Sequence, residues 1–184
     1  MQEEQRHPIY ERPIHLKHVI ARVLVERVQS NEGINSLPEC FNTQGKITIS
    51  FFGYIDRMLL TYLGLFTLFN CSKINFIVAL ALIDKIQFLN PEFRITRKNI
   101  FRVLVAALVI SIKGNDDFFS TNSQYAYFAG ITLPLLNMLE RTFLNMLNYN
   151  SLVLRPVFQE YLKNLEEYFE DHKEQILETV KKEE

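Results

Sequence analysis

The chain has 184 residues, 48% of them apolar and 22% charged, a globular rather than a disordered composition. Six Gly and six Pro are too few for the turns of a β-sandwich or barrel, so the chain leans toward helices. Twenty Lys/Arg against twenty-one Asp/Glu leave a net charge of −1, which argues against a dedicated nucleic-acid binder.

Residues 1–12 are polar and read as a flexible tail. The N-terminal stretch MQEEQRHPIYERP has no apolar run of the kind a secretory signal needs. From Pro13, the residues Leu16, Val19, Ile20, Val23, Leu24 and Val28 recur at helical spacing and predict an N-terminal helix over 13–30. Pro13 suits its first turn. Ser30 to Lys46 gathers Asn, Gly, Ser, Pro and Thr and reads as a long loop.

Ser50 to about Phe69 is a long apolar segment with Asp56 and Arg57 as its only charges. Asn70-Cys71-Ser72 breaks it, and Ser72 is a fair N-cap for a helix that runs to Leu89, before Asn90-Pro91. Thr96 to Lys113 predicts the next helix. Its core, IFRVLVAALVISI, is apolar on nearly every face, so other helices must surround it. Gly114 is the expected stop. Residues 115–130 look loop-like. Thr132 caps a further helix with Pro134 in its first turn and a stripe of Leu135, Leu136, Leu139, Phe143, Met146 and Leu147. A last helix is expected over 156–181, with an apolar stripe from Phe158 to Val180. Its outer face is acidic, with nine Asp/Glu against four Lys between Phe158 and Glu184.

No catalytic constellation is visible. His7, His15, His18 and His172 pair with no nucleophile at a motif spacing, and no phosphate-binding or metalloprotease motif occurs. His15 and His18 sit i,i+3 but lack carboxylates or thiols to complete a metal site. Asp116-Asp117 reads as a solvated loop pair that accepts backbone N–H bonds. Cys40 and Cys71 form neither a disulfide framework nor a zinc pattern, and read as reduced thiols. The uncharged run Met58 to Ser72 falls short of the ~20 apolar residues of a spanning helix. These features predict a non-enzymatic intracellular protein, cytoplasmic or nuclear. They imply no cofactor, metal, membrane, nucleic acid or small-molecule substrate. Two charges are singled out: Lys113 closes the most apolar helix, and Glu140 sits among Leu136, Phe143 and Leu144. Residues 85–113 also gather six Lys/Arg, a mild basic patch.

The order of segments is informative. NCS is followed by FIVALALIDK, then NPEFRITRKNIFRVLVAALVISIK, NDDFFSTNSQYAYFAGIT, LPLLNMLERTFLNMLNYNSLV and FQEYLKNLEEYF. Asp117-Phe118-Phe119-x-x-Asn122-x-x-Tyr125-Ala126 with Gly130-Ile131 is the most specific part. Over about residues 48–169 this resembles a cyclin box of the P/U type, the class of the yeast phosphate-signalling cyclin. The resemblance implies an all-α fold, a single five-helix box over 49–151 with flanking N- and C-terminal helices. It implies a regulatory subunit that binds and activates a cyclin-dependent protein kinase. The alternative is a cyclin-fold transcription or scaffold protein that binds other proteins or DNA. Family positions that contact kinase backbone fall on Lys113 and Glu140, and flanking apolar positions on Ile110, Leu144 and Tyr149. The charges are expected on one surface, outside any internal network, and the three apolar residues in a partly exposed patch.

Three departures stand out. Gly114 occupies a position where the family usually has Phe. The family's Arg of the first box helix, which pairs with the Asp of the second (here Asp84), is matched by Arg57 only with a two-turn displacement; another alignment puts Gly64 there. The Met-Arg-Ala docking patch of cell-cycle cyclins has no counterpart, so RxL-type recruitment is not expected.

Overall fold

A computed structural model describes residues 13–31, 38–43 and 73–183. The expected tail, the segment Ser50–Phe69 with Arg57 and Gly64, and the Cys71-Ser72 cap lie outside the described residues. Seven α-helices are present among the described residues, and no strand. They are α1 (Pro13–Ser30), α2 (Lys73–Leu89), α3 (Ile100–Asn115), α4 (Asn122–Ala129), α5 (Leu133–Met146), α6 (Arg155–Asp171) and α7 (Lys173–Glu183). A 3-10 turn, Glu39–Phe41, follows α1.

Helix α3 is the centre. Ile100 and every residue from Val103 to Ile112 are buried, because α2 and α5 pack on it and the 3-10 turn closes one side. The turn delivers Phe41, fully buried, edge-on to Phe93 at 6.0 Å and to Phe143 at 6.3 Å. Burying one such ring contributes about 1.5–3 kcal/mol. Arg102 fixes the turn by donating to the carbonyls of Cys40 and Asn42 at 3.0 and 2.5 Å.

The boundaries of α3 differ from the sequence reading at both ends. The helix begins at Ile100 rather than Thr96, because the buried Asn99 folds its side chain back into the preceding turn. Its Oδ1 accepts from Thr96 N at 2.7 Å and its Nδ2 donates to Arg94 O at 2.9 Å. At the other end the helix passes through Gly114 to Asn115.

Helix α4 occupies part of the stretch read as loop. Its start is a capping box: Thr121 Oγ1 accepts from Gln124 N, and Gln124 Oε1 accepts from Thr121 N. Its end is Gly130 at φ +68°, the left-handed C-cap that glycine adopts without strain. Helix α5 starts as expected, with Thr132 accepting from Leu135 N and Leu136, Leu139, Phe143 and Met146 buried.

The expected single C-terminal helix is two. The chain turns at His172, whose ring stacks on Tyr168 at 4.2 Å. Helix α6 packs on α2 and α1, and α7 lies back along α1. The turn lets Ile176 reach full burial and Gln175 accept from Arg22 Nη2 at 2.7 Å.

Asp84 ties these outer helices to α2. Its Oδ1 accepts from Arg27 of α1 at 2.6 Å and its Oδ2 from the Tyr161 hydroxyl of α6 at 2.6 Å. The arginine that meets Asp84 among the described residues therefore comes from α1. Packing of α1 beside α2 brings the guanidinium within reach.

Candidate partner-binding surface

Lys113 stands in the last turn of α3, where the helix dipole favours a cation. Glu140 stands midway along α5, which packs against α3. Lys113 Nζ lies 2.6 Å from Glu140 Oε1, with the two side chains 27% and 16% exposed. Asn122, the first residue of α4, donates to Glu140 Oε2 at 2.8 Å and to Asn137 Oδ1 at 2.8 Å. The two charges therefore lie on one face of the fold, but the expectation that they stay outside any internal network does not hold: they bond each other and Asn122. They are not left unpaired, because the α3–α5 contact brings opposite charges within hydrogen-bond distance.

This arrangement fixes both side chains and leaves them chemically usable. The ammonium has three N–H donors, one of them directed at Glu140, and each carboxylate oxygen can accept a further bond. A seam of this kind can offer donors and acceptors to backbone groups of another chain.

The apolar rim is uneven. Ile110 is 5% exposed and belongs to the core. It is not part of an exposed patch, because residue 110 points into the packed side of α3. Leu144 is half-buried against the core, and Tyr149 is 67% exposed. Tyr149 follows Asn148 in a left-handed bend, φ 58° and 52°, which closes α5 through Tyr149 N donating to Leu144 O at 2.8 Å. Such φ values in non-glycine residues cost about 1–3 kcal/mol each and tend to gather at functional sites. Beyond Gly114, an added Cβ would meet nothing within 4 Å, so the departure from Phe leaves open space. In the connection to α4, Phe118 is 84% exposed and Phe119 is also exposed.

Asn122 is the residue whose role the sequence reading missed. It lay inside the most specific motif, and its position at the start of a capped helix was the available signal. The Asp116-Asp117 pair is also resolved. Asp116 Oδ2 accepts from the side chain of Asn75 at 2.8 Å rather than from backbone N–H groups. Among the described residues no group of three or more His, Cys, Asp or Glu is placed to hold a metal, and no helix is long and apolar enough to cross a membrane.

A family model described as Cyclin matches residues 19–151. The chain belongs to the cyclin family. The match begins inside α1, so the family's domain takes in the helix that carries Arg27. The chain is 30% identical over 126 residues to Cyclin-U4-1 of Arabidopsis thaliana, covering 68% of this chain and 59% of the relative. It is 31% identical over 140 residues to the PHO85 cyclin PHO80 of Saccharomyces cerevisiae, covering 71% and 45%. It is 28% identical over 116 residues to Cyclin-P4-1 of Oryza sativa subsp. japonica, covering 63% and 51%. The matched part is thus about half to three fifths of the length of these cyclins.

Proposed function

We propose that this cyclin-family chain is the regulatory subunit of a cyclin-dependent protein kinase, which it binds and activates through the surface around Lys113 and Glu140. The observation that carries this reading is the junction itself. Two charges separated by 27 residues meet at a mostly buried seam that still reaches the surface, with Tyr149 and Leu144 at hand. A relative of the chain is named as the cyclin of PHO85, which supports a kinase partner.

In this reading Lys113 donates to kinase carbonyls and Glu140 accepts from kinase N–H groups, with Asn122 steadying the carboxylate. Tyr149 and Leu144 supply apolar contact, and Ile110 supports the seam from beneath. The partner's own residues carry the phosphotransfer. The cyclin fold stabilises the kinase conformation in which its C helix is turned inward, by binding that conformation more tightly.

The test is calorimetric titration of a panel of cyclin-dependent kinases into the wild-type protein and into Lys113→Ala and Glu140→Ala, with thermal unfolding as control. Each substitution should cost the complex about 1.5–3 kcal/mol if charge-assisted bonds are lost, or about 10- to 150-fold in affinity. Wild-type-like affinity in both variants would reject this surface, and no binding to any kinase would reject the function.

A further inference from the structure

A polar network joins the start of α2 to the end of α3, and the kinase seam leaves it unexplained. Asn75, fully buried in the first turn of α2, donates through Nδ2 to Asp116 Oδ2 at 2.8 Å, and its Oδ1 accepts from Ser111 Oγ at 2.8 Å. Asn115 Nδ2 donates to Ser111 O at 2.7 Å. Buried polar groups are costly unless bonded, and an apolar side chain at position 75 would close the core without that requirement. What the amide adds is direction. It holds the Asp116 carboxylate, and with it the chain leaving α3, in one place.

The far end of the same loop is held as well. Ser120 N donates to the hydroxyl of the fully buried Tyr125 at 2.9 Å, and the Thr121–Gln124 box starts α4 directly after it. Between the two anchors lie Asp117, Phe118 and Phe119. Phe118 is 84% exposed and Phe119 is 56% exposed. Single apolar residues scattered on a surface are ordinary, but two adjacent rings on a segment fixed at both ends mark an interaction site.

The place of the rings in the chain ties them to the seam. Lys113 precedes the loop and Asn122 follows it, and both bond the Glu140 carboxylate. Phe118 is four residues from Asn122, so at no more than ~3.6 Å per residue its Cα lies within about 14 Å of that of Asn122. A stable interface covers about 800 Å² on each partner, a patch on the order of 30 Å across. A kinase seated on the Lys113–Glu140 seam therefore covers the two rings as well.

On the reading that the partner is a kinase, we infer that the loop from Asp116 to Ser120 is a preformed apolar arm of the docking surface. Phe118 and Phe119 are its specificity-determining residues, and Asn75 and Asp116 are positioning residues that act by aiming the two rings. The rings enter an apolar recess on the kinase, and a kinase with a polar surface at that place is refused. Because the loop is already ordered, little conformational entropy is lost when the rings are covered.

The test uses the full chain, the same kinase panel and calorimetric titration well below Tm. The double variant Phe118→Ser, Phe119→Ser should bind the kinase that the wild type binds about tenfold or more weakly, at an unchanged Tm, since both rings are exposed. Asp116→Ala should weaken binding about 3- to 10-fold. Asp116→Asn, whose amide oxygen still accepts from Asn75, should keep wild-type affinity. Added to the double variant, Asp116→Ala should change nothing further, because the rings it aims are gone. A purely structural Asp116 would lower Tm and leave affinity below Tm unchanged. In the free protein the amides of Asp116 and Ser120, which donate to Ile112 O and to the Tyr125 hydroxyl, should exchange slowly with solvent. Wild-type affinity in the double variant, a further loss when Asp116→Ala is added to it, or rapid exchange at both amides would each overturn the inference. Lys113→Ala and Glu140→Ala report separately on the seam. Failure of every kinase to bind the wild type would remove the kinase reading and this inference with it.

Discussion

Asp84 joins Arg27 across 57 residues of chain at 2.6 Å, and both oxygens of its carboxylate are occupied, because the Tyr161 hydroxyl takes the second. One acidic group thus fastens α1 and α6 to α2. The pair is about one-third exposed, so water screens its Coulombic part and the hydrogen bonds supply most of its value.

Asp84→Ala should therefore cost more than either partner's removal. It leaves both Arg27 and the half-buried Tyr161 hydroxyl without their acceptor, a loss of about 1–3 kcal/mol. Tyr161→Phe should cost about 1 kcal/mol. In a domain of this size each kcal/mol lowers Tm by about 2–4 °C. Thermal unfolding of Asp84→Ala, Arg27→Ala and Tyr161→Phe checks the order. Equal Tm values for Asp84→Ala and the wild type would show that the hub contributes nothing.

Alkaline pH should act through the same residue. Burial first, and then the hydrogen bond to Asp84, push the Tyr161 hydroxyl well above its ordinary 10.0. Burial and the bond to Glu26 push Tyr168 upward from the same value. The folded state holds these protons more tightly than the unfolded state. The stability they contribute is complete below pH 10.0 and declines as pH rises beyond it. The denaturation midpoint of the wild type should fall above that pH. Tyr161→Phe should show a shallower fall, and an identical profile would contradict the assignment.

The Lys113–Glu140 contact should add little to folding in the free protein. A partly exposed pair of this kind couples by about 0.2–1 kcal/mol. A double-mutant cycle with Lys113→Ala and Glu140→Ala, read by chemical denaturation, measures that coupling. Loss of the folded state in either single variant would show that the pair is a structural element rather than a surface available to a partner.

Helix α7 should be needed for full stability. Ile176 is fully buried against the rest of the core, so Ile176→Ala should cost about 2 kcal/mol or more, a fall of about 4–8 °C in Tm. Removal of the chain after Asp171 should lower Tm at least as far. An unchanged Tm in both would mean that α7 does not stay docked on α1.

Most helices and many of their ends were legible in the sequence. The apolar repeat of α1, the all-round apolar run of α3, Thr132 with Pro134, and the stripe of α5 each announce a helix through local periodicity and capping, which depend on residues a few positions apart. Helix α4 was also written there, in the Thr121-x-x-Gln124 box and Gly130, but its polar residues resembled a loop. Lys113 and Glu140 stood out in the sequence as charges among apolar neighbours. Their direct contact and the bond from Asn122 did not, since these depend on how α3, α4 and α5 pack.

The sequence by itself determined an all-helical chain with α3 at its centre, because hydrophobic spacing and end signals act within one or two turns. Only the tertiary structure decided which charges meet. Asp84 could be matched to an arginine by family pattern, but the side chain that reaches it among the described residues, Arg27, is set by α1 packing beside α2. The turn at His172 follows the same logic. No Gly or Pro marks it, and it lets α7 lie along α1 with Ile176 buried.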